Sequence, residues 1–162
     1  SFPTRRSSDL AESLGDAGSV HLFTRSDVSE LKSLSPHIMI HDGVDTLKGM
    51  PEVFAASKIN LNITMRPIRR GLPQRIWDIL GCGGFLLTDV RADMPVELIP
   101  GVHFETYESV DEACEKIGYY LAHDEEREQI ARNGRTEALA NHTVLARVVT
   151  MISYIADREE IS

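Results

Sequence analysis

Lys58–Asp89, KINLNITMRPIRRGLPQRIWDILGCGGFLLTD, joins an alternating segment, an arginine-rich loop, an amphipathic stretch, a glycine cluster and an apolar run. Ile59, Leu61 and Ile63 alternate with Asn60, Asn62 and Thr64, which is the period of a half-buried strand. From Pro73 to about Leu80 the apolar residues Ile76, Ile79 and Leu80 recur at helical spacing, and Gly81 stands where a C′ glycine closes a helix. Phe85 to Thr88 is the next strand. Strand, helix and strand in so short a span imply a right-handed crossover between parallel strands.

The alternation continues on either side. Val20 to Thr24 and His37 to His41 are short apolar runs fit for strands, and Pro51 to Lys58 reads as a helix with proline in its first turn. Downstream, the pattern predicts a short helix over Asp93–Ile99, a strand over His103–Tyr107 and a helix over Val110–Ala122 with Ala113, Ile117, Tyr120 and Leu121 on its apolar face. Asp124 is expected to cap a polar helix reaching Asn141, with Glu125 and Glu126 in its first turn, where the macrodipole favours acids. Thr143 is expected to cap a last helix carrying Val144, Val148, Met151, Ile152 and Ile155 on one face. The fold class is therefore α/β, doubly wound, with a parallel sheet covered on both faces.

Composition bounds what such a domain can do. The 162 residues, 42% hydrophobic and 26% charged, suffice for one core. A net charge of −8 argues against nucleic acid and anionic membrane surfaces as partners and points to the cytoplasm. Cys82 and Cys114 are too few for a disulfide scaffold and read as free thiols. No apolar run reaches the roughly 18 residues of a membrane span. Ser1 to Leu10, SFPTRRSSDL, has no hydrophobic period and resembles the translation of a sequencing adapter; it is read as a tail outside the core, leaving 11–162 as the domain and implying natural sequence upstream.

Ligands of doubly wound sheets bind beyond the carboxyl ends of strands, which directs attention to the segments after Thr64 and Thr88. Arg66, Arg69 and Arg70 occupy the first, and Arg75 sits in the first turn of the helix that follows. A helix start offers unpaired N–H groups and guanidinium forks fit phosphate oxygens, so together they suit a diphosphate. The plainer alternative is solvated surface, with Arg75 paired to Asp78 three residues on. Gln74, Arg75 and Asp78 lie opposite the buried stripe, and a carboxylate at Asp78 can accept hydrogen bonds from the vicinal hydroxyls of a ribose; its alternative is a solvated helix charge. Asp89 and Glu97 fall where a donor sugar would pass. Gly81–Gly84 reads as a structural connection, and His37 and His41 lack a partner pattern for zinc, so no metal site is expected.

The stretch Lys58–Asp89, with ELIPG at Glu97–Gly101, the acidic HDEEREQIARNGR and NHTVLAR at Asn141–Arg147, resembles the C-terminal domain of CgeB-type spore maturation proteins, which group with the group 1 glycosyltransferases of GT-B fold. That resemblance implies a Rossmann-like domain holding the nucleotide of a nucleoside-diphosphate sugar, the C-terminal half of a GT-B enzyme, preceded by an acceptor domain. The family's ribose-binding glutamate falls on Asp78, one methylene shorter, and an earlier glutamate of many retaining members falls on Arg70. Arg70 and Arg75 become the diphosphate contacts, with Arg66 and Arg69 in support, in a metal-independent transfer without further cofactor. The catalytic base is expected in the upstream domain, which leaves this chain alone inactive. A non-catalytic nucleotide-binding or spore-assembly module is the second reading, prompted by the departures at Asp78 and Arg70. A response-regulator-like signalling domain is the third, and the arginine loop has no place in it.

Overall fold

In the computed structural model, described for residues 18–25, 36–64 and 71–159, the strands are β1 (Val20–Thr24), β2 (Ile38–Asp42), β3 (Asn60–Asn62), β4 (Leu86–Asp89) and β5 (Glu105–Tyr107). The helices are α1 (Gly49–Ala56), α2 (Gln74–Gly81), α3 (Val110–Ala122), α4 (Asp124–Asn141) and α5 (Val144–Glu159). Every pairing is parallel: β1 lies on β2 from Val20↔Ile38 to Thr24↔Asp42, and β4 sits between β3 and β5. Ser1 to Leu10 and the connection 65–70 lie outside the described residues.

Successive residues of β4 feed opposite sides of its sheet, as the two-residue period of a strand requires. Leu87 joins Phe85, Tyr107 and the inner faces of α3 and α4, where Ala113, Ile117, Tyr120 and Ile130 are buried. Leu86 faces the other way, into Phe54 of α1, Ile76, Ile79 and Leu80 of α2, Phe104, and Ala138 near the end of α4. Helices thus cover both faces, and α4 serves both: its first half packs with α3 and its second with α2.

That double cover corrects the expectation for β3. Asn60 and Asn62 are its most buried residues, while Leu61 is only half-buried. The asparagines share the side of Leu86 and Thr88, beneath α1 and α2, and their amides are satisfied there. Asn60 Nδ2 donates to the Phe54 carbonyl at 3.0 Å and Asn62 Nδ2 to Thr88 Oγ1 at 2.9 Å. Buried amides paired in this way tie α1 to the strand ends without an uncompensated desolvation cost.

Three further expectations shift. Asp93–Ile99 forms turns rather than a helix: Pro95 lacks an N–H and its carbonyl accepts instead from Leu98 in a short turn. Gly81 is the last helical residue of α2, and Gly83, at φ 78°, is the C′ glycine. Its N–H bonds Leu80 O and that of Gly84 bonds Ile79 O, the paired geometry of a Schellman motif. Asp124 is the first residue of α4 rather than its cap, and its carboxylate holds Arg127. Thr143 caps α5 as expected, accepting from Ala146 N at 3.2 Å. Most of the apolar side chains of α5, including Val148, Met151, Ile152 and Ile155, are exposed.

Tyr120 packs on Phe85, and burial, followed by the charges of Glu105 and Glu126 and by Tyr119, pushes its pKa from the ordinary 10.0 up to about 12. For Lys116, burial would lower the value, but hydrogen bonds and charges from Glu105 and Glu112 outweigh it and raise the pKa. In both, the folded state holds its proton more tightly than the unfolded chain, so the stabilisation is complete below the unfolded values and is lost as pH rises through the folded ones. Urea midpoints are therefore expected to fall between about pH 10 and 12, with a shallower fall for Tyr120→Phe. An identical slope in that variant would remove Tyr120 from the account.

Candidate functional site

A cavity of about 180 Å³ opens where β1 and β2 end. Phe23 and Thr24 close β1 and Arg25 follows; Gly43, Val44 and Thr46 come from the turn after β2. Met50 and Phe54 of α1 form an apolar floor, and Arg75 and Asp78 project from α2. Its volume is below the roughly 300–1,000 Å³ of pockets that enclose a drug-sized ligand, so it can take one end of a larger molecule.

Each wall has a local cause. Asp45 accepts from Leu47 N and Lys48 N at 3.0 and 2.8 Å through its carboxylate, and its carbonyl accepts from Gly49 N and Met50 N. That Asx turn fixes the entry into α1 and with it Thr46 and Met50. At Gly43 a Cβ would come within 2.5 Å of Arg25 Cγ, so the glycine leaves the arginine stem room to cross the turn. On α2 the buried stripe of Ile76, Ile79 and Leu80 turns Arg75 and Asp78 outward to the cavity.

Arg75 and Asp78 are thus brought together, as their helical spacing predicts. Among the described residues neither side chain forms a hydrogen bond or ion pair, so the Arg75–Asp78 pair weighed as the alternative does not form. Two cations, Arg25 and Arg75, and one carboxylate line an otherwise neutral cavity. This arrangement can hold a polyanion beside a group with hydroxyls. Arg66, Arg69 and Arg70 lie outside the described residues.

Asp89 and Glu97 do not line the cavity. Asp89 Oδ1 accepts from Thr64 N at 2.9 Å and Thr64 Oγ1 at 2.8 Å, while Oδ2 faces Arg91 at 3.9 Å. Asp93 Oδ2 accepts from Gly71 N at 2.6 Å. These two carboxylates, one closing β4 and one just after it, therefore hold the residues flanking the arginine connection. Glu97 is exposed on a turn. His41 Nε2 meets His21 Nδ1 at 2.9 Å, and no group of three metal-binding side chains occurs among the described residues. Cys82 and Cys114 are not joined in a disulfide. Burial and then the nearby Asp78 charge raise the Cys82 pKa and favour the protonated thiol, against a smaller opposing pull from Arg135.

Sequence reasoning placed attention after Thr64 and Thr88 and missed Arg25, Gly43 and Thr46. The available signal was an arginine directly after the first strand and a glycine directly after the second.

A family profile described as glycosyl transferase-like matches residues 12–153. The chain belongs to that family. None of the curated proteins matches its sequence. Among solved structures, HepE from Anabaena in complex with UDP and glucose superposes with a TM-score of 0.70 at 15% identity, covering 95% of this chain and 44% of HepE. HepE in complex with UDP gives 0.72 at 13% identity over the same shares of the two chains. Sucrose-phosphate synthase from Thermosynechococcus elongatus gives 0.71 at 14% identity, covering 98% of this chain and 44% of that one. The glycosyltransferase-like chain therefore has an α/β fold shared with GT-B glycosyltransferases and spans less than half the length of these relatives. No single helix among its described residues is long and apolar enough to cross a membrane.

Proposed function

We propose that this chain is the donor-binding half of a glycosyltransferase that takes its sugar from a nucleoside diphosphate. The observation that carries the reading is the convergence of Arg25, Arg75 and Asp78, free of mutual pairing, on the cavity at the ends of β1 and β2. The cavity takes the nucleoside end: Phe23, Val44, Met50 and Phe54 suit a base, and the Asp78 carboxylate accepts from ribose hydroxyls. Arg75 in the first turn of α2, joined by Arg70, Arg66 and Arg69 from the connection before Gly71, takes the diphosphate. The UDP carried by both HepE complexes supports this choice of ligand.

The leaving diphosphate gains negative charge as the glycosidic bond breaks. Guanidinium groups fixed in advance stabilise that charge without reorganisation, and the transfer we propose relies on them rather than on a metal. The catalytic base and acceptor site belong to an upstream half, against which the exposed apolar face of α5 would pack, and this chain alone would not turn over. The resemblance to CgeB-type spore maturation proteins and the acidic surface fit a cytoplasmic enzyme of that group. The short side chain of Asp78 favours one other reading, a nucleotide-binding module without catalysis.

A pair of substitutions tests the division of labour. Arg75→Ala is expected to weaken UDP and pyrophosphate alike by about 1.5–3 kcal/mol, the loss of a charged hydrogen bond. Asp78→Ala should weaken UDP while leaving pyrophosphate unchanged. Equal losses for both ligands in Asp78→Ala would remove the ribose role.

A further inference from the structure

Trp77, the chain's one tryptophan, stands between the cavity residues Arg75 and Asp78 in sequence, yet does not line the cavity itself. Its indole is covered from the α4–α5 junction and the first turn of α5: the His142 ring stacks on it at 4.6 Å between centroids, and the Arg147 guanidinium lies 5.4 Å over it. Arg147 Nη2 is 2.9 Å from His142 Nδ1. A guanidinium only donates, so Nδ1 accepts and the neutral ring carries its proton on Nε2. The imidazole is 6% exposed, and Nε2 has no hydrogen-bond partner among the described residues. Glu137 Oε1 stands 3.3 Å from it, itself held by Asn141 Nδ2 at 2.9 Å. That carboxylate faces Nε2 as the Arg147 guanidinium faces Nδ1, so the buried ring is bracketed at both nitrogens.

The consequence lies in α2, which has only the eight residues Gln74–Gly81. Its buried stripe of Ile76, Ile79 and Leu80 fixes which side of the helix faces the core, and the finer rotation about the axis is set by what packs on its flank. Rotation is the motion that would swing Arg75 and Asp78 away from Arg25 and Thr46. Trp77 is the side chain on the flank, and His142 with Arg147 grips it.

We propose that His142 is a positioning residue: clamped between Arg147 and Glu137, it fixes Trp77 and thereby sets the rotation of α2 that aims Arg75 and Asp78 into the cavity. The α4–α5 junction is then coupled to ligand affinity although it touches no ligand. The ligand named in the test rests on the donor-binding reading; the geometry of the grip does not.

The test compares wild type with His142→Ala, His142→Asn, which can still accept from Arg147, and Ile130→Val, a mild destabilisation in the core on the other face of the sheet. The first arm needs no ligand. Trp77 emission is expected to shift to the red in His142→Ala, with amide protection over 74–81 falling at least about threefold, the range of long-range coupling effects, while β4 is unchanged. His142→Asn should restore part of it, and Ile130→Val should do neither. Unchanged Trp77 emission and unchanged α2 protection in His142→Ala overturn the proposal, as does an equal response in Ile130→Val. The second arm is UDP affinity, expected to fall about fivefold in His142→Ala and not in Ile130→Val. Unaltered affinity in His142→Ala overturns the coupling. Absence of UDP binding by wild type refutes the donor reading, and the first arm then decides the positioning role by itself.

Discussion

Gly134→Ala is expected to lower the stability of the fold by about 3 kcal/mol or more, at the upper end of overpacking effects. Gly134 is the point at which α4 passes from one face of the sheet to the other. A Cβ there would overlap the carbonyl oxygen of His103 and approach Leu80 Cδ2 to 2.8 Å. Leu80 belongs to the buried stripe of α2, and the His103 carbonyl is backbone, so neither side can yield cheaply. Alanine has the higher helix propensity, by about 1 kcal/mol, so an isolated helix would be strengthened by this change. The sign of the measured effect therefore decides between propensity and close packing. For a domain of this size the expected loss corresponds to a fall in Tm of about 6–12 °C, read by thermal unfolding. A raised Tm would mean that α4 does not lie against His103.

Lys116→Met is expected to be the second large effect. Lys116 Nζ lies 2.7 Å from Glu105 Oε2 and 3.1 Å from Glu112 Oε1, and donates to the Thr106 carbonyl at 2.6 Å. Glu105 opens β5 with its side chain 9% exposed, whereas that of Lys116 is 28% exposed. Methionine keeps the apolar stem of the lysine but leaves Glu105 as a buried carboxylate without its cation. Removing one partner of a fully buried pair costs about 3–5 kcal/mol; with the lysine partly solvated, about 2–3 kcal/mol is expected. Adding Glu105→Gln to Lys116→Met should recover most of that loss, because a neutral amide is cheaper to bury than a lone charge. A double variant no more stable than Lys116→Met would show that the loss comes from packing instead.

The sequence carried the periodic elements well and the long-range ones poorly. Val20–Thr24 and Val110–Ala122 coincide with β1 and α3, since apolar spacing within one segment is enough to specify them. Arg75 and Asp78 were legible for the same reason: Ile76, Ile79 and Leu80 mark the buried side of α2, and what remains must face outward. Asn60 and Asn62 were misassigned to the open face because alternation tells the two faces of a strand apart but not that both are covered. Their partners, Phe54 and Thr88, come from other elements. Arg25 and Gly43 escaped notice because their meeting depends on the parallel pairing of β1 with β2, which brings the two strand ends to one edge. Asp89 looked like a sugar contact from its place after a strand; in the fold its carboxylate accepts from Thr64. The backbone reason for Gly134 lies in a carbonyl 31 positions away, which no local pattern records.

Whether the cavity between Arg25, Arg75 and Asp78 binds a nucleoside diphosphate is decided by a calorimetric titration of the full chain with UDP, GDP, ADP and TDP, with pyrophosphate as control. Saturable binding of one nucleoside diphosphate, tighter than pyrophosphate and weakened in Arg75→Ala, is the predicted result; a folded chain that takes up none of the four, or binds them no better in wild type than in Arg75→Ala, would contradict it.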